Sequence, residues 1–365
     1  GVTSPVFLEG SVGERGEDFE LAVRLGGPPD QEDGEGAWTR SYRISKAGFL
    51  VGLDRVAWDI ANQLGARRSD RGDGSLVLPW TDDFDAYCDY LRGRHLSQQG
   101  TPEALEAAIE AYHRALILDP NFGAAWSALA AAYVLLPEYG GPPVPEIAPY
   151  AQAAADHALS SGARFPEGLA ASGFLKWFHR WDFPGAEEDF RRSIELDPFH
   201  PVPRYWMARA FTTQRRWEEA EELARAALEL DPSSAAAHLT LGMFLMCRGE
   251  VGAKEAFRRG LELAPGMHPA AFLLGTLLAL EGDLEGAAEE FDRFSTLTGG
   301  DPGPFRADLS ALSDPAPTPQ AVSALEGATF FGPTQSAALL AHLGQTEAAL
   351  TELEEAARAR SPYFL

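Results

Sequence analysis

The chain has 365 residues, 45% of them hydrophobic, an ordinary globular composition that sets disorder aside and leaves room for two or three domains. Its 54 acidic against 30 basic residues give a net charge of −24. A surface of that sign repels phosphates, so neither nucleic acid nor anionic lipid is an expected partner.

Residues 5–46 alternate apolar and polar in three runs, "PVFLEGSV", "DFELAVRLG" and "GAWTRSYRISK", separated by Gly-, Glu- and Asp-rich turns. That pattern predicts a three-stranded antiparallel meander, with Phe19, Leu21, Val23 and Leu25 sharing one face. Phe49, Leu53, Val56, Ile60 and Leu64 then mark one amphipathic helix. Residues 1–65 thus form a small α+β domain, and 66–83, "ARRSDRGDGSLVLPWTDD", a linker. An unpaired apolar first strand is an aggregation hazard, so "PVFLEGSV" is expected to be paired or covered, with self-association through this edge one way to do it.

From residue 84 to 365 the pattern changes to helices and repeats itself. "LILDP" ends at Pro120, "IELDP" at Pro198, "LELDP" at Pro232 and "LELAP" at Pro265, the last three prolines 34 and 33 residues apart. Twelve residues before each stand Ala108, Ala186, Ala220 and Ala253; eight before stand Tyr112, Phe190, Ala224 and Phe257. Upstream, Trp126, Leu129, Ala130 and Tyr133 share a spacing with His238, Leu241, Gly242 and Leu245, and with Ala271, Leu274, Gly275 and Leu278. Small residues let two antiparallel helices approach, large ones fill the groove between them, and Pro ends the second helix. Ser233 and Ser234 supply hydroxyls to cap the next helix, and His238 is expected between helices. About seven pairs are predicted, with an insertion near 135–150, "LLPEYGGPPVPEIAPY", an extra residue near "WFHRWDFPG", and a break at 300–333 before a last pair carrying Ala349 and Leu353.

This spacing resembles the tetratricopeptide (TPR) signature, W-x2-L-G-x2-Y, A-x3-F, P. The resemblance implies a mainly α fold, a right-handed superhelix preceded by the small α+β segment. "FLEGSVGERGEDFELAVRL", "AWTRSYRI", "DDFDAYCDYLRGRHLSQQGTPEALEAAIEAYHRALILDPNFGAAWSALAAAYVLL" and the late "ARSPYF" together resemble bacterial regulators that join a TolB-amino-terminal-like domain to a TPR array. In such families an adenylate cyclase, a winged-helix DNA-binding domain or a protein kinase often precedes the pair. Here the front half of the α/β domain and any effector are missing from the sequence, so the resemblance implies a regulatory portion without that activity.

Motifs for chemistry are few. No nucleotide loop, HExxH, CxxC or nucleophile elbow occurs, so no enzyme, cofactor or metal is expected. "GSVGERG" reads as a hairpin turn, "DRGDGS" at 70–75 resembles a calcium loop but lacks its twelfth-position acid, and Asp82, Asp83, Asp85 and Asp89 flank a helix N-terminus. Cys88 and Cys247 read as two buried thiols rather than a disulfide. The longest apolar run, "AAFLLGTLLAL", is too short to cross a bilayer. No signal peptide is visible, which points to the cytoplasm and leaves the periplasm open.

In the superhelix that the resemblance implies, the first helix of each pair lines a concave face. The positions between its packing residues carry Phe174 and Trp177, then Tyr205 and Arg209, then Leu239, Met243 and Met246, then Phe272 and Thr276. An apolar, Met-bearing groove suits an amphipathic helix or apolar peptide segment from a partner. The alternatives are filling by the N-terminal sheet, by residues 300–333, by a second copy, or by a small ligand.

Overall fold

A computed structural model describes residues 7–16, 18–26, 38–65, 81–97, 99, 101–139, 141–142, 144–160, 165–300, and residues 346, 347, 350, 351 and 354. Most of the predicted linker with its "DRGDGS", the segment after Gly300, and Ala349 and Leu353 of the last predicted pair lie outside the described residues. By its contacts the chain divides into two compact units, Gly1–Cys88 with Ile117–Phe122, and Asp89–Leu116 with Gly123–Leu365.

In the first unit, β1 (Phe7–Arg15), β2 (Asp18–Gly26) and β3 (Trp38–Ser45) form an antiparallel sheet in the order β1-β2-β3. Register pairs Val12 with Leu21 and Leu21 with Tyr42, so these side chains share one face. Helix α1 (Phe49–Gln63) packs against β3. Val23, Tyr42, Ile44, Phe49 and Val56 form its core, joined by Phe84 and Tyr87 from the start of α2 (Phe84–Ser97). The Tyr42 hydroxyl donates to Asp59 at 2.9 Å, tying sheet to helix. On β1, Leu8 and Val12 point to this same face yet are 57% and 68% exposed.

The second unit is a stack of helix pairs. After α3 (Pro102–Leu118) come α4/α5 (Gly123–Leu135, Val144–Ser160), α6/α7 (Pro166–Phe174, Phe183–Leu196), α8/α9 (Val202–Thr213, Trp217–Leu230), α10/α11 (Ala235–Arg248, Ala253–Leu263) and α12/α13 (His268–Leu280, Leu284–Thr298). The first helices α4, α6, α8, α10 and α12 pack side by side, each also against its own second helix. The expected small-on-large contact recurs in register. A methyl on Gly242 would lie 2.5 Å from the Phe257 ring, one on Gly173 2.8 Å from Phe190, and one on Gly275 2.9 Å from Phe291. Only a residue without a side chain lets the partner ring lie flat against the first helix there.

The "DP" motif has a local cause. Asp197 and Asp231 take the extended backbone that the following Pro demands, and each Asp carboxylate accepts from the N–H two residues on. These bonds are Asp119 from Asn121 at 2.9 Å, Asp197 from Phe199 at 3.0 Å and Asp231 from Ser233 at 3.0 Å. Ser234 then caps α10 through the N–H of Ala237. First helices end in a second recurring device that the sequence reading did not include. Arg215, Gly249 and Gly282 take the left-handed conformation, and the next N–H reaches back six residues counted inclusively: Arg216 to Phe211, Glu250 to Leu245, Asp283 to Leu278.

The extra residue near "WFHRWDFPG" is absorbed inside the helix. Leu175–His179 forms a π turn, and the N–H of Asp182 reaches Lys176, one residue further than in the other pairs. The insertion after α4 is shorter than expected, because α5 already starts at Val144. Pro145 sits in its first turn, where no intrahelical N–H is needed, and Pro149 lies within it. Two further expectations are corrected. Cys88 and Cys247 are exposed rather than buried, since both fall on outward positions of their helices. His238 is half-buried, its ring against the Pro232 carbonyl at 3.1 Å. Among the four aspartates, Asp83 caps α2 through Ala86 while Asp89 pairs with Arg114 at 3.2 Å.

Candidate functional site

The first-helix layer carries a continuous aromatic cluster. Phe174 meets Trp177 edge-on at 5.7 Å, Phe178 at 5.1 Å and Trp206 at 5.1 Å, and Trp206 meets Tyr205 at 5.6 Å. The π turn places Trp177 and Phe178 here, and the Lys176 ammonium binds the buried Asp189 carboxylate at 2.6 Å, holding that turn to α7. Ser172 donates to the same oxygen at 2.7 Å. Large rings at adjacent repeats thus pack against one another between α6 and α8.

Over this layer lies the insertion. Its single 3₁₀ turn, Leu136–Tyr139, leaves the end of α4 and packs against α12. Leu136, Glu138 and Tyr139 are all buried. Glu138 forms a buried ion pair with Arg209 of α8, 71 positions away in sequence. The His268 ring at the start of α12 lies beside the Glu138 backbone. Arg209 also sits 6.0 Å from the centre of the Trp177 ring. The turn closes through the Gly141 N–H donating to the Leu136 carbonyl at 3.1 Å, with no space for a side chain on Gly141 against Leu136.

This strap buries charge in an apolar setting. Desolvation holds His268 down at about 4, so the ring is neutral at pH 7. Burial, and then the Glu138 charge, push the Tyr139 and Tyr205 hydroxyls up. Four polar atoms of the cluster have no hydrogen-bond partner among the described residues: Glu138 Oε2, Arg209 Nε, Trp177 Nε1 and His268 Nδ1. Such orphans are infrequent in a folded interior.

The nine sequence-chosen groove positions divide sharply. Phe174, Trp177, Tyr205, Arg209, Leu239 and Thr276 are buried within the chain, Leu239 completely. The open apolar lining is therefore corrected for these six. Phe174, Trp177 and Tyr205 belong to the aromatic cluster, Arg209 is taken by the strap, and the Thr276 hydroxyl donates to the Phe272 carbonyl at 2.9 Å. Phe272 is half-buried against Phe291 and Phe294 of α13, at 5.9 and 5.2 Å. Met243 and Met246 of α10 remain half-buried, three residues apart on one helix face. Among the described residues no group of three or more His, Cys, Asp or Glu is placed to hold a metal. No described helix is long and apolar enough to cross a membrane.

Residues 201–244 and 252–302 each match a family model described as tetratricopeptide repeat. The chain carries tetratricopeptide repeats. Its curated relatives include the transcriptional regulator HilA of Salmonella typhimurium, 27% identical over 157 residues, which are 43% of this chain and 28% of HilA. The match thus spans little more than a quarter of the relative's length. Among solved structures, the Cut9–Hcn1 hetero-tetramer of the APC/C matches with a TM-score of 0.51 at 12% identity, covering 83% of this chain and 56% of that one. That likeness is one of fold. Pseudomonas aeruginosa PilF matches at 17% identity with a TM-score of 0.39, over 66% and 94% of the two chains.

Proposed function

We propose that this TPR chain is a non-catalytic scaffold that binds a partner polypeptide on its first-helix layer. The observation that carries the reading is the pair of half-buried methionines, Met243 and Met246, on a first helix of a repeat region matched by the family models. Thioether side chains adapt to varied apolar surfaces, which suits an amphipathic or apolar partner segment. The nine positions named above remain the proposed region. The two methionines and Phe272 are its accessible part, and the buried six form its floor.

The HilA match favours a second, compatible reading: a TPR portion of a transcription regulator or other signalling protein, recruiting partners for an effector. The exposed Leu8 and Val12 on β1 make that strand a second contact surface, for self-association or for another polypeptide. The test is affinity capture from native lysate with the wild-type chain and with Met243→Glu/Met246→Glu. Loss of a specific captured protein in the variant supports the groove reading. An unchanged captured set moves binding to β1 or the outer helices.

A further inference from the structure

The strap between α4 and α5 is not part of the repeat. The turn inside the α8/α9 pair needs only Gln214–Arg216, and the one inside α12/α13 only Glu281–Asp283, whereas Leu136–Tyr139 runs out to α8 and α12. What it presents there is the chemistry of a bound peptide. An acidic side chain is seated on Arg209, the backbone beside it lies near His268, and Leu136 and Tyr139 are buried with it. The fit is incomplete, because the Arg209 Nε and Trp177 Nε1 donors face no partner among the described residues, and Glu138 uses only one of its two oxygens. A buried donor left unmet is unfavourable, so an occupant bringing more acceptors would bind this floor better than the strap does.

Resting on the scaffold reading, we propose that the Leu136–Tyr139 strap is a displaceable stand-in for the partner. The site beneath it, centred on Arg209 with Trp177 and His268, takes an acidic side chain flanked by apolar or aromatic residues, presented by a partner polypeptide when the strap lifts. Gly141 is the pivot, its N–H closing the turn where a side chain would collide with Leu136. Because the strap is tethered, it competes at high effective concentration, and a partner must outbid it.

The experiment uses the full chain and a fluorescein-labelled peptide of the strap sequence, Val-Leu-Leu-Pro-Glu-Tyr-Gly-Gly-Pro, as the probe. Hydrogen exchange is followed at residues 136–142 in the wild type and in Glu138→Gln, and probe binding by anisotropy. Glu138→Gln is expected to speed exchange at least about tenfold in the strap alone, and to bind the probe at least about tenfold more tightly than the wild type does. A probe with Gln for its Glu loses that gain, and so does the chain carrying Arg209→Gln as well. Faster exchange throughout α8–α13, or failure of Glu138→Gln to fold, would make the strap a structural element and overturn the proposal. Equal probe binding by wild type and variant overturns it too. The methionine capture assay is independent of the strap, so the scaffold reading can survive either result.

Discussion

His268 offers a test of the buried cluster that needs no ligand. Its ring is pushed down from 6.5 to about 4, chiefly by burial. Above pH 6.5 the ring is neutral in folded and unfolded chain alike, and its titration leaves stability unchanged. As pH falls below 6.5 the unfolded state takes the proton first, so the folded state loses relative stability until about pH 4, where the loss is complete. A shift of this size is worth about 3 kcal/mol in full, and about 2 kcal/mol by pH 5, at roughly 1.4 kcal/mol per pH unit. His268→Gln keeps a polar side chain beside the Glu138 backbone and cannot titrate. Urea unfolding of both proteins at pH 7.5 and pH 5 isolates the effect, because His200 and the other histidines are common to both. Stopping at pH 5 stays above the range in which ordinary carboxylates titrate. The wild type should lose about 2 kcal/mol more than the variant over this interval. If the two lose stability equally, the ring is hydrated in solution and the strap does not cover it.

Gly242→Val places a branched side chain where even a methyl would lie 2.5 Å from Phe257. It should lower stability by about 1–3 kcal/mol in denaturant unfolding, whereas a change at exposed Val251 should not. Arg215 holds a left-handed backbone, φ 59°, at the position where the next two pairs have glycine. Arg215→Gly should therefore raise the unfolding midpoint, with a gain of about 0.5–1 kcal/mol, and a loss of stability would show that its side chain has an undetected role. Asp231→Ala removes the acceptor for the Ser233 N–H and hydroxyl, at 3.0 and 2.6 Å. A decrease of about 1 kcal/mol is expected in thermal or urea unfolding, with the larger exchange increase at the α9–α10 turn.

Much of this fold was legible because its determinants are local and repeated. Proline spacing, the Asp before it and the Ser after it act within a few residues, and the structure returns each as a specific bond. The Gly and aromatic positions were legible for another reason: Gly242 with Phe257 and Gly275 with Phe291 repeat the same pairing at nearly the same distance along the chain. The meander needed only alternation. What escaped was held in backbone geometry. Gly249 takes the left-handed conformation easily, but nothing in the sequence marks Arg215 as taking it too. The extra residue of the third pair was visible as a count, but nothing in "WFHRW" distinguishes a loop from a π turn held by Lys176 and Asp189.

Six of the nine candidate positions are buried for a more general physical reason. Counting positions along a repeat says which side chains face the first-helix layer, but says nothing about what else reaches that layer. Tyr205, Arg209 and Trp177 do face it, and their chemistry drew attention for the right cause. Yet a buried guanidinium in an apolar layer must find a carboxylate, since an unpaired one would be strongly destabilising. That requirement was available from sequence: Arg209 was the lone cation among nine chosen positions otherwise built of rings, aliphatics, methionines and a threonine. Its counter-charge had to come from outside the regular repeat, and the insertion offered Glu138 between Leu-Pro and Tyr-Gly. The partner could not be chosen by spacing, because 71 residues separate the two and only the stacking of the three intervening helices, α5, α6 and α7, brings them together. An isolated charge at a groove position therefore asks first for an acid in the chain's own insertions, and only then for a ligand.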